Sequence, residues 1–167
     1  MRGTARENRV RLVVGSVLVA LAAAVALTSA AAAGADAAKQ RVVITMKALP
    51  DGQFVLEPLQ AGALKGDMGT TSIVWGDPRN VIRDGQSVDI YYPVTVTLRG
   101  KRGTLTLRER SEWIPTGDAL VATGTWKVVR GTGAYANVSG HGRSAHVGHD
   151  QGNGAWFARH EGVLSLH

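Results

Sequence analysis

The residue that invites chemistry is Glu109, in the run Leu105-Thr106-Leu107-Arg108-Glu109-Arg110-Ser111-Glu112-Trp113. Alternation of period two sends Thr104, Thr106, Arg108, Arg110 and Glu112 to water and leaves Leu105, Leu107, Glu109, Ser111 and Trp113 on the opposite face. Desolvation among such neighbours raises a carboxyl pKa unless a cation pairs with it. The group could then act as a general acid or base in a dry interior. The plainer reading is a glutamate at a strand end, bonded to Ser111, a turn N–H or an arginine, because structural ion pairs perturb pKa values too.

The five histidines all lie in the last 27 residues: His141, His146, His149, His160 and His167. A metal reading gathers His146, His149, Asp150 and His160. In an extended strand His146 and His149 point to opposite faces, so these ligands converge only if the backbone bulges. No metal spacing motif is present, and the expectation is no metal and no cofactor. The sharper subset is His146 with His160, both inward by alternation. Near Glu109 they would form an acid–base pair of imidazoles; otherwise they are core histidines bonded to Ser144 or water.

Trp75, Trp113, Trp126 and Trp156, with Tyr92 and Phe54, come from different segments and are expected to line the interior. They could make an aromatic pocket for an apolar or planar ligand, or simply fill the core. Nucleophile-elbow, zinc-protease, Walker and dinucleotide motifs are missing from the sequence. Asn137-Val138-Ser139 has the form of a glycosylation acceptor.

The elements that must position these residues are short strands. Beyond residue 38 helical periodicity is nearly lost and period-two runs recur between Gly, Pro, Asp and Asn. The expected strands are 41–48, 53–57, 70–75, 87–99, 103–113, 119–130, 142–149 and 155–166. In 87–99, Val88, Ile90, Tyr92, Val94, Val96 and Leu98 are expected inside. Eight such strands imply an all-β antiparallel barrel or sandwich. Closure would remove the exposed edges of a chain with no cysteine.

Residues 1–37 read as a secretory signal peptide. Arg2, Arg6, Arg9 and Arg11 precede an uncharged stretch and an Ala35-Asp36-Ala37 exit; an uncleaved anchor helix is the rival. The mature domain would be 38–167, a single one at that size, exported from the cell and without a stable membrane partner once cleaved. The full chain has 19 Lys and Arg against 13 Asp and Glu, and removing the leader leaves 15 against 11. That charge is scattered, without the dense stripe a nucleic-acid partner requires.

The segment Gly124-Thr125-Trp126-Lys127-Val128-Val129-Arg130-Gly131-Thr132-Gly133-Ala134-Tyr135-Ala136, with Gly100-Lys101-Arg102-Gly103-Thr104-Leu105-Thr106-Leu107 before it and Gly140-His141-Gly142 after it, carries a resemblance. Together these residues resemble secreted bacterial proteins of the allene oxide cyclase-like and dirigent-like barrels, mostly without assigned activity. The resemblance implies an eight-stranded antiparallel, calycin-like up-and-down barrel with an apolar lumen. It makes Glu109 a loose positional analogue of the lumen glutamate in plant cyclases. It also implies frequent association, so a homo-oligomer stays open. From the residues, Gly131-Thr132-Gly133-Ala134-Tyr135 is a corner rather than a phosphate loop, with no helix to follow. Tyr135 is expected to fold over the barrel end with its hydroxyl on backbone.

Three functions remain open at this level. The chain could bind a small apolar ligand or act as a surface-interaction module. It could be a cofactor-free lumen enzyme of cyclase or isomerase type, with Glu109, His146 and His160 as its chemistry. Or it could be a structural secreted protein with a filled core.

Overall fold

The computed structural model describes residues 39–48, 52–149 and 156–167. The expected signal peptide at 1–37 and the Asp150–Gly154 turn lie outside the described residues. The strands are β1 (Lys39–Ala48), β2 (Gln53–Pro58), β3 (Asp67–Val74), β4 (Pro78–Arg83), β5 (Gln86–Gly100), β6 (Gly103–Thr116), β7 (Ala119–Gly131), β8 (Val138–His149) and β9 (Trp156–Leu166), with one 3-10 turn at Gly133–Tyr135. They form one antiparallel sheet in the order β3-β2-β1-β9-β8-β7-β6-β5-β4, and β3 also pairs with β5. That extra pairing, Thr70 against Arg99 through Val74 against Thr95, curls the sheet back on itself towards a barrel-like shape.

β4 is a ninth strand that the alternation does not reveal. Pro78-Arg79-Asn80-Val81-Ile82-Arg83 is exposed along nearly its whole length, so neither face selects apolar residues. It is held by a tight hairpin to β5, turned through Asp84 at φ 49° and Gly85 at φ 77°. Positive φ at both central positions is the reason Asp-Gly suits this turn.

Inside the sheet the expected alternation positions β6 well: Leu105, Leu107, Glu109, Ser111 and Trp113 are all buried. β5 departs from expectation. Opposite β6, Tyr91 faces Ser111 while Val94 faces Glu109, so three steps on β5 span two on β6. This one-residue bulge exchanges the facing of Tyr91 and Tyr92, while Val88, expected inside, is buried at 3% exposure. Tyr92, expected inside, is 55% exposed, and the interior place is taken by Tyr91.

The barrel-like interior has an apolar floor of Val42, Val94, Val96, Leu98, Leu105, Leu107 and Leu164. Tyr135 closes that end. Its hydroxyl donates to Asp67 Oδ2 at 3.0 Å, not to backbone as the sequence suggested. Asp67 Oδ1 accepts the N–H groups of Met68 and Lys101 at 2.9 and 3.1 Å, and Oδ2 that of Arg102 at 3.2 Å. The corner needs glycine at Gly133, where φ is 59°.

Candidate functional site

Register brings the chemical residues together. Across β6, β7, β8 and β9, Ser111 lies against Gly124, Gly124 against Ser144, and Ser144 against His160. Glu109 is one inward position to one side of this row and His146 one to the other. Ser144, His146 and His160 therefore need no bulge in β8 to converge: its pairing with both neighbours is continuous.

They converge on the Glu109 carboxylate. His146 Nε2–H donates to Oε1 at 2.6 Å and His160 Nε2–H to Oε2 at 2.9 Å. Ser144 Oγ–H donates to Oε1 at 2.5 Å. Glu109, His146 and His160 are 1%, 7% and 0% exposed. Room for the carboxylate comes from Gly124, where a Cβ would stand 2.6 Å from both Glu109 Oε1 and Ser144 Oγ. Neither Ser111 nor an arginine is the partner of Glu109, as the plainer reading expected. The Ser111 hydroxyl instead accepts the Trp113 Nε1–H at 3.0 Å.

These contacts favour the ionised form of Glu109. Burial pushes its pKa up, but the hydrogen bonds from His146 and His160, together with their charge, more than offset that and hold the carboxyl well below the usual carboxylate range. The raised pKa expected of a desolvated glutamate is thus reversed. An ionised carboxylate accepts only, so each Nε2 must carry the proton. That leaves Nδ1 of His146 and Nδ1 of His160 buried without a hydrogen-bond partner.

Aromatic rings cover this cluster on the side away from the Tyr135 corner. Trp75 meets Tyr91, Trp113 and Trp156 edge-on, with centroids 5.3, 5.7 and 6.3 Å apart. His146 lies beneath, 5.4 Å from Trp113 and 5.9 Å from Trp156. Trp75 is 41% exposed, so this aromatic end reaches solvent.

Three of the expected aromatic residues, Trp75, Trp113 and Trp156, assemble here, and Tyr91 stands where Tyr92 was expected. Trp126 is elsewhere. Its ring packs over Gly142 and Gly162, its Nε1–H donates to Arg143 O at 3.0 Å, and it contacts His160 at 6.2 Å. Phe54 is buried in the core.

The donor set that could hold a metal is Glu109, His146 and His160, whose ligand atoms lie within 4.8 Å of one another. It differs from the set drawn from the sequence: Asp150 and the His149 side chain lie outside the described residues. His141 and His167 are exposed, and His167 is engaged with Ser139 Oγ at 2.7 Å. No signal within a single strand pairs Glu109 with residues 37 and 51 positions later; only the register does.

No protein-family model, curated protein or solved structure matches this chain.

Proposed function

We propose that this chain is an exported barrel protein that binds a small planar, apolar ligand at its aromatic end. The observation that carries the reading is the convergence of Trp75, Tyr91, Trp113 and Trp156 on one solvent-reaching end, with His146 directly beneath two of them. Aromatic rings with a few well-placed polar groups beside them are the kind of lining a small-molecule site uses. The β3–β5 pairing supports an eight-stranded, calycin-like circuit with β4 appended to it. That architecture agrees with the allene oxide cyclase-like and dirigent-like resemblance. Residues 1–37 would supply the export signal.

The test is a titration of the purified chain with naphthol and with lauric acid, followed by tryptophan fluorescence and by melting temperature. Saturable quenching and a raised melting temperature with naphthol, both weakened by Trp113→Leu, are expected. If neither probe saturates, the surface-interaction and filled-core readings replace this one.

A second reading is a cofactor-free cyclase or isomerase. It is favoured by the buried, ionised Glu109, a group able to stabilise cationic charge as it develops. His146 and His160 would orient that carboxylate. Conversion of a bound probe, lost in Glu109→Gln with binding retained, would select it over simple binding.

A further inference from the structure

We propose that Glu109, His146 and His160 form a binding site for one divalent first-row transition-metal ion. The site lies beneath the aromatic end and shares His146 with it, but metal binding is tested without a ligand there and stands whether or not naphthol binds.

Two neutral imidazoles and one carboxylate are a donor set suited to zinc, iron or cobalt in the divalent state. Here they come from three strands of one sheet and are placed by continuous register, so the cluster is preformed rather than gathered from loops. The geometry is close to what an ion needs. Ligand bonds of about 2.0–2.2 Å around a tetrahedral ion place neighbouring donor atoms about 3.4 Å apart. The two Glu109–histidine contacts, to different carboxylate oxygens, are 2.6 and 2.9 Å, and all three ligand atoms lie within 4.8 Å of one another, so donor pairs must shift by about 1.5 Å or less to surround an ion. Ser144 can keep its hydrogen bond to the carboxylate and fix its orientation, as outer partners of metal ligands do.

A second observation separates this cluster from an ordinary buried hydrogen-bond network. Native networks in a core are closed, with nearly every buried polar atom paired. This one leaves both Nδ1 atoms without partners, although the carboxylate holds three donors. On metal binding each imidazole gives up the proton at Nε2 and carries its N–H at Nδ1, so the outer partner that usually orients a ligating imidazole is not among the described side chains. A neutral imidazole makes that change with no net loss of a proton, a protonated one releases one proton to solvent, and in both cases the ion sets positive charge against the buried carboxylate.

The experiment uses the full chain, stripped with a chelator and titrated with zinc or cobalt chloride. Native mass spectrometry should find one zinc per chain, and zinc should raise the melting temperature. Cobalt should give the visible absorption of a four- or five-coordinate nitrogen–oxygen site. Glu109→Gln and His160→Gln should each weaken zinc binding by roughly 100-fold or more, at or beyond the upper end for losing an outer-shell partner. His141→Ala and His167→Ala, at exposed positions, should leave it unchanged.

Absence of a one-to-one complex, unchanged affinity in Glu109→Gln, or loss of binding in the two exposed-histidine variants would each overturn the assignment. The cobalt spectrum requires no variant to fold. A weak six-coordinate spectrum like that of the aqueous ion refutes the site on its own.

Discussion

Replacing Glu109 by glutamine changes one oxygen to an NH2 group and removes one charge, and its cost can be worked from the contacts. The new amide can still accept from Ser144 and His146 through its one oxygen. Its NH2 group would then face the Nε2–H of His160, a donor against a donor, across what is now 2.9 Å, relieved only by moving the His160 proton to Nδ1, where nothing among the described residues accepts it. A hydrogen bond to a charged group contributes about 1.5–3 kcal/mol. Losing that bond, plus the charge assistance in the other two, puts Glu109→Gln at about 2–4 kcal/mol of lost stability, which overlaps the roughly 3–5 kcal/mol for breaking a buried pair. Against a total of about 5–15 kcal/mol for a domain of this size, urea unfolding of the metal-free chain at neutral pH resolves such a change easily.

The companion is the triple variant Glu109→Leu, His146→Leu, His160→Leu. It removes the charge and both unpaired nitrogens together, and buried ionic clusters replaced this way are often neutral or more stable by about 1–4 kcal/mol. The expected pattern is therefore one weak single variant and a triple variant as stable as the parent. A Glu109→Gln cost below about 0.5 kcal/mol, the ordinary range for surface changes, would refute the buried network. A triple variant much weaker than the single would show that the cluster is there for stability.

Two further outcomes follow from the same packing. Gly124→Ala should cost about 1–3 kcal/mol as an overpacked site, because its Cβ would also stand 2.7 Å from Arg110 O, which is backbone; unfolding curves identical to the parent would refute the cradle. The Tyr135 phenol is raised in pKa by burial first and then by its hydrogen bond to Asp67 and the charge there, with Arg102 opposing. A phenol whose folded pKa exceeds the unfolded 10.0 contributes stability that is complete below pH 10 and is lost as pH rises above it. Tyr135→Phe should therefore lose less stability than the parent above pH 10. Parallel curves of stability against pH would refute that account.

Particular residues show how far the sequence carries this structure. Period two in β6 puts Glu109, Ser111 and Trp113 on one face because Arg108, Arg110 and Glu112 require water. The same parity puts His146 and His160 inward on β8 and β9. What parity cannot supply is register between strands, and the site is made of register: Glu109 meets histidines on strands two and three places away in the sheet. Alternation places Tyr92 inside because it counts residues evenly, and the bulge between Tyr91 and Val94 breaks that count. β4 is hidden because a strand exposed on both faces has no apolar periodicity. The expectation of a raised Glu109 pKa fails because its histidine partners stay invisible until the strands are aligned.

Among the described residues two carboxylates are buried, Asp67 and Glu109, and their surroundings differ. Asp67 is bound by three backbone N–H groups and the Tyr135 hydroxyl, all of them fixed by the chain path at the closed end. Such a network rigidifies a corner and has nothing left to offer a ligand. Glu109 is held only by side chains, and two of those end in unpaired nitrogens under an aromatic end that reaches solvent. A chain with no cysteine must draw its stability from sheet closure and apolar packing. A half-satisfied charged cluster in that packing works against stability. Packing alone therefore does not account for the Glu109 cluster, whereas the Asp67 corner is explained by what it holds together.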